Sequence, residues 1–383
     1  MDFISPIIFD AFECVGTDCP DTCCAGWGIL IDKDTVKYYN TVPGEFGERL
    51  RKHIKEENNA IFFELDNEGR CSFLNDSNLC SIYRTLGAEK LCQTCQVFPR
   101  HVFKMDDLIL IFLSFACPET VKLHFSCEGT MSFKTSYSKE HINNAGQMKP
   151  EVYNAFLHSL ITGIELLQNR GLSIRERLIL FISFIYSQQN NMVDDYNDQS
   201  TIQLFADPRL YSRILDDDNI PATDVSSRIK MFRLLCESFF SGNHKDTKLL
   251  NIYKEFNLYF QNKNVSDVSD ELCEAMDSMK NDEIEQEMEQ LLVYLCFRYI
   301  LSDYNKNDLI RPLGNIIAFY TTYICFIAVE MAMGQEVIDR NKRILVLSRL
   351  SRYYEHNADT FSEVHSLMVK NDMSDIFSLM RLV

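Results

Sequence analysis

Within nineteen residues, from Cys14 to Asp32, the chain runs CVGTDCPDTCCAGWGILID and carries Cys14, Cys19, Cys23, Cys24 and its single tryptophan, Trp27. A second group follows at Cys71, Cys80, Cys92 and Cys95, with Cys117 and Cys127 behind it. Ten of the fourteen cysteines therefore lie in the first third of the chain, and any thiol chemistry must sit there. The other four, Cys236, Cys273, Cys296 and Cys325, stand singly in apolar helical patterns, where a free cysteine acts as a small buried hydrophobe.

The redox setting decides how such a group is read. The opening MDFISPIIFDAFEC has neither a basic leader nor a long apolar run, so the expectation is a cytosolic chain with reduced thiols. Clustered cysteines in that setting point to metal ligands before a disulfide framework. Cys19-x3-Cys23 and Cys92-x2-Cys95 each place two thiols on one face of a helical turn. Paired donors of this kind suit tetrahedral zinc or an iron–sulfur cluster. Neighbouring side chains diverge, so Cys23 and Cys24 cannot both bind one ion in the same way. A cluster with several iron atoms accommodates such a doublet more easily than one zinc. Three readings stay open on spacing alone: a zinc staple without chemistry, an iron–sulfur site, and reversible disulfides. No Cys-x2-Cys…His-x3-His pattern is present, and Gly26 stands where a Cys-x3-Cys-x2-Cys triad would need its third thiol.

Around this group the patterns predict a mainly α protein. A small cysteine-rich α+β metal-binding domain over residues 1–130 precedes an all-helical domain over 149–383. Residues 1–13 read as a short strand or extended arm. Pro20 is placed to begin a short helix capped by Asp18 or Cys19, and GILID alternates as a strand. Asp34 opens a helix DTVKYYN, Pro43-Gly44 turns, and Glu45 to Glu57 reads as a charged exposed helix. Ala60–Leu65 pairs as a hairpin with the strand starting at Arg70-Cys71. Cys80–Gly87 and Lys90–Gln96 read as short helices, and LILIFLSFAC at 108–117 is a buried strand or helix. Beyond Pro150 only Pro208, Pro221 and Pro312 interrupt segments such as VYNAFLHSLITGIELL, RERLILFISFIY and EQLLVYLCFRYIL, which carry apolar residues at helical spacing. Eight or nine helices are expected there, joined by acidic loops (VDDYNDQS, LDDDNI, SDYNKND). Leu313 to Met333 nearly has the length to cross a bilayer, but Asn315, Thr321, Thr322 and Glu330 favour a buried core helix.

A net charge of −17, shared by both parts (20 acidic against 12 basic residues in 1–130), argues against nucleic acid as a partner. Glycine-rich phosphate loops, H-E-x-x-H and G-x-S-x-G are absent from the sequence. His101 and His124 are candidate bases or ligands, against a plainer reading as solvent-facing or structural histidines. Trp27 offers a π-face to a cation or packs on the metal site. Arg100 suits a carboxylate or a structural ion pair.

Read together, these segments resemble the flagellin lysine-N-methylase family with its CxxCxxCC-type zinc- or iron-chelating domain. The likeness rests on Cys14-x-Gly16-x2-Cys19-x-Asp21-Thr22-Cys23-Cys24-x-Gly26-Trp27. It continues through Cys71-x-Phe73-Leu74, Leu79-Cys80-x-Ile82, Leu91-x2-Thr94-Cys95-x2-Phe98-Pro99-Arg100 and Ser114-Phe115-Ala116-Cys117-Pro118-Glu119. The resemblance implies methyl transfer from S-adenosylmethionine to lysine side chains of flagellin, with a [4Fe–4S] cluster and zinc as the alternative. Carried over by position, the ligands are Cys19, Cys23, Cys24, Cys71, Cys80, Cys92 and Cys95, with Cys14 and Cys117 in reserve. That is more thiols than one cluster needs, so several are structural. A glycine-rich methyltransferase loop is not visible, and the broken triad gives no ground for a radical mechanism. The rival reading is a non-catalytic, metal-stapled module whose acidic helical part binds a protein partner, with a redox sensor as a third.

Overall fold

The computed structural model describes residues 2–57, 59–137, 150–194, 199–240, 247–261, 263, 265–334, 338–356 and 360–383. The expected boundary at Lys149 and residues 195–198 of the first acidic loop lie outside them. The chain opens with strand β1 (Asp2–Pro6), which runs into a 3-10 turn at Ile7–Ala11. A second 3-10 turn covers Gly16–Asp18, and no helix begins at Pro20. The Cys19–Cys23 segment is irregular loop, because its polar groups bond locally, as where Cys24 N–H donates to Thr22 Oγ1. GILID is likewise not a strand but a single bridge, Leu30 to Phe62.

Helix α1 (Lys33–Thr41) starts one residue early, because the Asp32 carboxylate accepts from Thr35 N–H and caps it. Helix α2 (Gly44–Lys52) follows. The charged helix expected to reach Glu57 stops there. Ile54–Glu57 is instead strand β2, paired antiparallel with β3 (Ala60–Phe63). The return at Arg70-Cys71 keeps only the isolated bridge from Leu65 to Cys71, since the β3 edge is already taken. Helices α3 (Ser81–Leu86) and α4 (Gln93–Val97) are short and begin directly after Cys80 and Cys92.

Strands β4 (Arg100–Met105) and β5 (Leu108–Leu113) form a hairpin, which resolves the ambiguous apolar run as a strand. After helix α5 (Pro118–Phe125), strand β6 (Phe133–Tyr137) completes a four-stranded sheet in the order β4-β5-β1-β6. β5 runs parallel to β1 and is buried along nearly all its length, so it needs no alternation of polar residues.

Twelve α-helices follow among the described residues, more than the sequence suggests. The surplus is short helices. They are α6 (Pro150–Leu167), α7 (Ile174–Asp194), α8 (Gln199–Phe205), α9 (Pro208–Leu215), α10 (Val225–Phe240) and α11 (Thr247–Gln261). The set continues with α12 (Val265–Ser278), α13 (Asp282–Tyr299), α14 (Ile310–Ala332), α15 (Arg340–His356), α16 (Thr360–Lys370) and α17 (Ile376–Arg381). Asp207 and Asp375 cap two of the shortest, α9 and α17, through their carboxylates.

α14 is the one helix among the described residues long and apolar enough to cross a membrane, and its apolar window is fully buried. It lies at the centre of the bundle, against α7, α10, α12, α13, α15 and α16. Its polar residues find partners inside: Thr322 Oγ1 donates to Ala318 C=O and Thr321 Oγ1 to Leu382 C=O. Buried carboxylates on α13 tie the bundle together. Glu289 receives Arg170 and Arg177, each at 2.8 Å, and Glu287 is held by Arg343 at 2.7 Å. Cys236, Cys296 and Cys325 are buried as expected, whereas Cys273 is exposed. Sheet and helices share one apolar core, which includes Leu110, Phe112 and Phe115. The stretch between Ile29 and Cys92 has its own smaller core around Tyr39, Phe63 and Phe73.

Candidate functional site

The cysteine loops are laced together by single backbone bridges. Ala25 bridges Arg70, and Cys71 N–H donates to Cys24 C=O at 2.7 Å, so the CC doublet sits against the second cysteine group. Leu74 bridges Cys80, and Leu74 N–H returns to Cys71 C=O at 2.9 Å. Side chains hold these turns open at fixed width. Asn75 Oδ1 accepts from Ser77 and Leu79 N–H, and the Arg70 guanidinium spans Asn75 C=O and Asn78 Oδ1. Asp32 does double duty, accepting from Gln93 N–H at 2.9 Å and so fixing α4 to the cap of α1. The Cys92 thiol then reaches Leu30 C=O at 3.6 Å.

Electrostatic coupling links the seven cysteines assigned from the sequence pair by pair, although among the described residues no three of them gather closely enough to hold an ion. Cys23 shares a thiol hydrogen bond with Cys24, and Cys92 shares one with Cys95. Cys95 feels Cys23 and Cys24, Cys80 feels Cys23 and Cys92, and Cys71 feels Cys80 and Cys92. Cys19 feels Cys23, and the reserve Cys117 joins the field through Cys19 and Cys23. Cys14, the other reserve, is exposed.

Burial sets the protonation of these thiols. It pushes Cys19 up to about 11 and Cys71 up to about 12, and raises Cys80 and Cys117 as well. For Cys23 the hydrogen bond with Cys24 is the larger cause of an upward shift, with burial second. In the Cys92–Cys95 pair the shared hydrogen bond lowers Cys92 and raises Cys95.

In donor type, number and burial the field fits a group held by thiolates. In spacing it is open. Among the described residues no three His, Cys, Asp or Glu side chains are arranged around a single ion, and every cysteine is free. The two expected helical-turn pairs also differ. Cys19 and Cys23 lie on a loop, with the Cys19 thiol on Asp21 C=O, while Cys92 stands before α4 and Cys95 within it.

Helix α15 closes over this field. The buried Asp21 carboxylate pairs with Arg349 at 3.1 Å and Arg352 at 3.4 Å. Arg352 also donates to Ala25 C=O and Ala116 C=O, clamping the first cysteine loop and the Cys117 segment to one helix. Trp27 packs rather than facing a free cation. Its indole N–H donates to Cys23 C=O at 2.8 Å, and its ring stacks on His356 with centroids 3.8 Å apart. Among the described residues Arg100 meets no carboxylate; it lies over the rings of Phe9 and Phe12 and donates to Phe12 C=O.

Beyond the Trp27–His356 stack lies a buried polar cluster. Glu355 accepts from Tyr294 Oη at 2.5 Å and from Ser114 Oγ, and pairs with Arg298 at 3.4 Å. Tyr294 Oη in turn accepts from Phe115 N–H, and burial raises its pKa. Arg298 sits over the rings of Phe112 and Tyr299. Burial works against its charge, but Glu355 holds its pKa above the ordinary value. His101 stacks on Phe112 and is pushed down to about 4 by burial and by Arg298. His356 is pushed down to about 2 by burial, with His101, Arg298 and Arg352 adding to the shift. His124, buried against Phe115 and Tyr294, is pushed down to about 3 by burial alone. His101 and His124 do not face solvent, which leaves the structural half of the plainer reading, and all three histidines are neutral at physiological pH.

Sequence reasoning did not find Asp21, Arg298, Arg352, Glu355 or His356. A signal exists on α15. Arg349, Arg352 and Glu355-His356 recur at helical spacing in a segment that otherwise packs Leu347, Leu350 and Tyr354. What they face is set by the long-range fold.

A family model described as the FliB lysine N-methylase C-terminal domain matches residues 161–382. The chain is 30% identical over 202 residues to a lysine-N-methylase of Salmonella typhimurium, covering 50% of this chain and 48% of that protein. A lysine-N-methylase of Salmonella choleraesuis matches to the same extent. The flagellar biosynthetic protein FliU of Salmonella muenchen is 33% identical over 147 residues, which is 36% of this chain and 86% of the relative. The chain thus spans about half the length of the two methylases it matches. No solved structure matches it.

Proposed function

The chain belongs to the FliB lysine N-methylase family, and on that premise we propose that it is a protein-lysine N-methyltransferase. The proposed donor is S-adenosylmethionine and the proposed substrate is flagellin, with the cysteine field holding a [4Fe–4S] cluster. The observation that carries the reading is the family model over residues 161–382, nearly the whole helical body, joined through α15 to the first cysteine loop. The names of the relatives support the methyl transfer and the flagellar substrate.

The chemistry asks little of the protein and states its demands clearly. The lysine ammonium first gives a proton to a base. Its nitrogen lone pair then attacks the sulfonium methyl. One N–C bond forms, one S–C bond breaks, and S-adenosylhomocysteine leaves as a neutral thioether. Desolvation favours the first step by lowering the lysine pKa, and it favours the second because charge is dispersed along the transfer. Cys19, Cys23, Cys24, Cys71, Cys80, Cys92 and Cys95 supply the candidate cluster ligands, and Cys117 is within the same field. A bound cluster would offer a local cationic core that draws those thiols to their ionised form.

The test begins with protein purified without oxygen and assayed for iron, acid-labile sulfide and zinc. Purified flagellin and S-adenosylmethionine are then added and the flagellin mass recorded. The expected result is a brown protein with matched iron and sulfide, and flagellin gaining mass in methyl steps at lysines. Colourless protein with stoichiometric zinc and unaltered flagellin would replace this reading with a zinc-stapled interaction module.

A further inference from the structure

Strand β4 ends the four-stranded sheet, with β5 as its neighbour on one side. Which way its backbone groups point follows from the hairpin register. Met105 and Leu108 flank a two-residue turn in which Asp106 has a φ of 47°, so they form a hydrogen-bonded pair, and such pairs recur at every second residue. Phe103–Leu110 and His101–Phe112 are therefore bonded, and Ser114 N–H donates to Pro99 C=O at 2.8 Å in the same phase. Arg100, Val102 and Lys104 fall between these pairs. Their N–H and C=O groups turn away from β5, toward the outer edge of the sheet. Among the described residues no second element runs along that edge.

The same three residues carry exposed side chains, Val102 by 58%, whereas Phe103 meets Tyr304 and Met105 joins the main core. In a chain of net charge −17 this strip is cationic, and neither Arg100 nor Lys104 has an ion-pair partner among the described residues. An open edge invites another strand, and charge narrows which one. A second copy of the chain, paired antiparallel in the register that uses all three residues, puts Arg100 opposite Lys104 twice, and like charges facing across a ladder are destabilising. A segment with a carboxylate at each of those two places and an apolar residue against Val102 fits instead. Main-chain bonds supply the affinity of such an added strand, and its alternate side chains the selectivity. The strand also begins at the seam bordering the thiols. Phe98, two residues before it, packs 5.9 Å from Trp27, whose indole donates to Cys23 C=O.

We propose that the free edge of β4 is a docking strand for an extended segment of the protein substrate, one that carries carboxylates on either side of an apolar residue. This assignment rests on the reading of the chain as an enzyme that acts on a protein. The segment lies along Arg100, Val102 and Lys104, and its course leads toward the seam at Trp27.

Amide exchange on the full chain, followed by nuclear magnetic resonance, tests it. In the unbound chain the amides of Arg100, Val102 and Lys104 should exchange freely, while those of His101, Phe103 and Met105 are protected. Protection of all six overturns the free edge. A synthetic peptide containing Glu-Thr-Val-Thr-Glu is then titrated in, beside one with Lys in place of both Glu. The acidic peptide is expected to protect the three outward amides and to bind about 3- to 30-fold more tightly than the basic one. Lys104→Glu should narrow or reverse that preference. Val102→Pro removes an outward donor, and a proline whose nitrogen faces the free side of an edge strand is tolerated, so the fold should stand while binding falls about 10-fold or more. If Val102→Pro does not fold, the wild-type comparison still decides, because equal binding of the two peptides, or no protection by either, overturns the assignment. With flagellin and S-adenosylmethionine, Val102→Pro should raise the flagellin KM far more than it lowers kcat. An unchanged KM removes the docking strand and leaves the methylase reading intact. Flagellin left unaltered by the wild type removes that reading, and with it the identity of the segment, even where the acidic peptide binds.

Discussion

In the helical body, α13 and α14 run 18 and 23 residues, with α13 packed against α5, α6, α7 and α14, and α14 against α7, α10, α12, α13, α15 and α16. In the cysteine module, α1 to α4 run from nine down to five residues, and β2 and β3 have four residues each. Helices that short do not hold themselves in water. The body is stabilised by a continuous apolar core, while the module has about ten buried residues and depends on caps, single bridges and side-chain clamps. A small unit with so little core commonly needs a cross-link or a metal. The module's thiols are placed where such a staple would act, and α15 of the body covers them. The contrast separates what keeps this chain folded from what the reactive region can change.

Disruption in the body should therefore be global, and disruption in the module local. The largest effect is expected for Glu289→Ala, which takes the shared carboxylate from the buried Arg177 and the partly exposed Arg170. Removing one partner of such a network costs about 3–5 kcal/mol, and the urea midpoint of the main transition should fall accordingly. An unchanged midpoint would mean that the body does not unfold as one unit.

The seam between the regions should respond to acid. His124 is held near 3 in the folded chain against 6.5 when free, so the unfolded chain binds more protons between those values. Stability is full above about pH 6.5 and is lost as pH falls toward 3, with about 2 kcal/mol going between pH 7 and pH 5 from His124 alone. His124→Gln should flatten that part of the pH profile in equilibrium unfolding. A slope that persists unaltered would exclude His124 as its source.

The smallest and most local effect belongs to Asp32→Ala. It removes the cap of α1 and the tie to Gln93 N–H, a loss of about 1 kcal/mol by the usual measure of an N-cap. Hydrogen exchange should speed up at Thr35 and Gln93 while the main melting transition stays in place. Loss of protection across α13 or α14 would show that module and body are a single cooperative unit.

Much of this was legible in the sequence, residue by residue. Apolar spacing marked α6, α7, α13 and α14, and the interior polar groups of Leu313–Met333 distinguished a core helix from a membrane span. The order of cysteines and their neighbours marked the thiol field, because chemistry-bearing residues keep their identity wherever the chain carries them. Short-range choices were less accessible. Pro20 permits a helix that Thr22 and Asp21 do not support, and Glu45–Glu57 reads as one helix until the β3 edge captures its last four residues. In both cases, local hydrogen bonding or the adjoining hairpin strand outweighed intrinsic preference.

What the sequence determined by itself is where the cysteines gather and which segments form the long helices. Composition and periodicity act on each segment separately and so survive without knowledge of the fold. Only the tertiary structure decided that Asp21 meets Arg349 and Arg352, that His356 covers Trp27, and that Arg298 pairs with a buried Glu355. These contacts join residues from 57 to 331 positions apart. Their energies depend on burial, which no local pattern records, because desolvation is a property of the whole packed molecule.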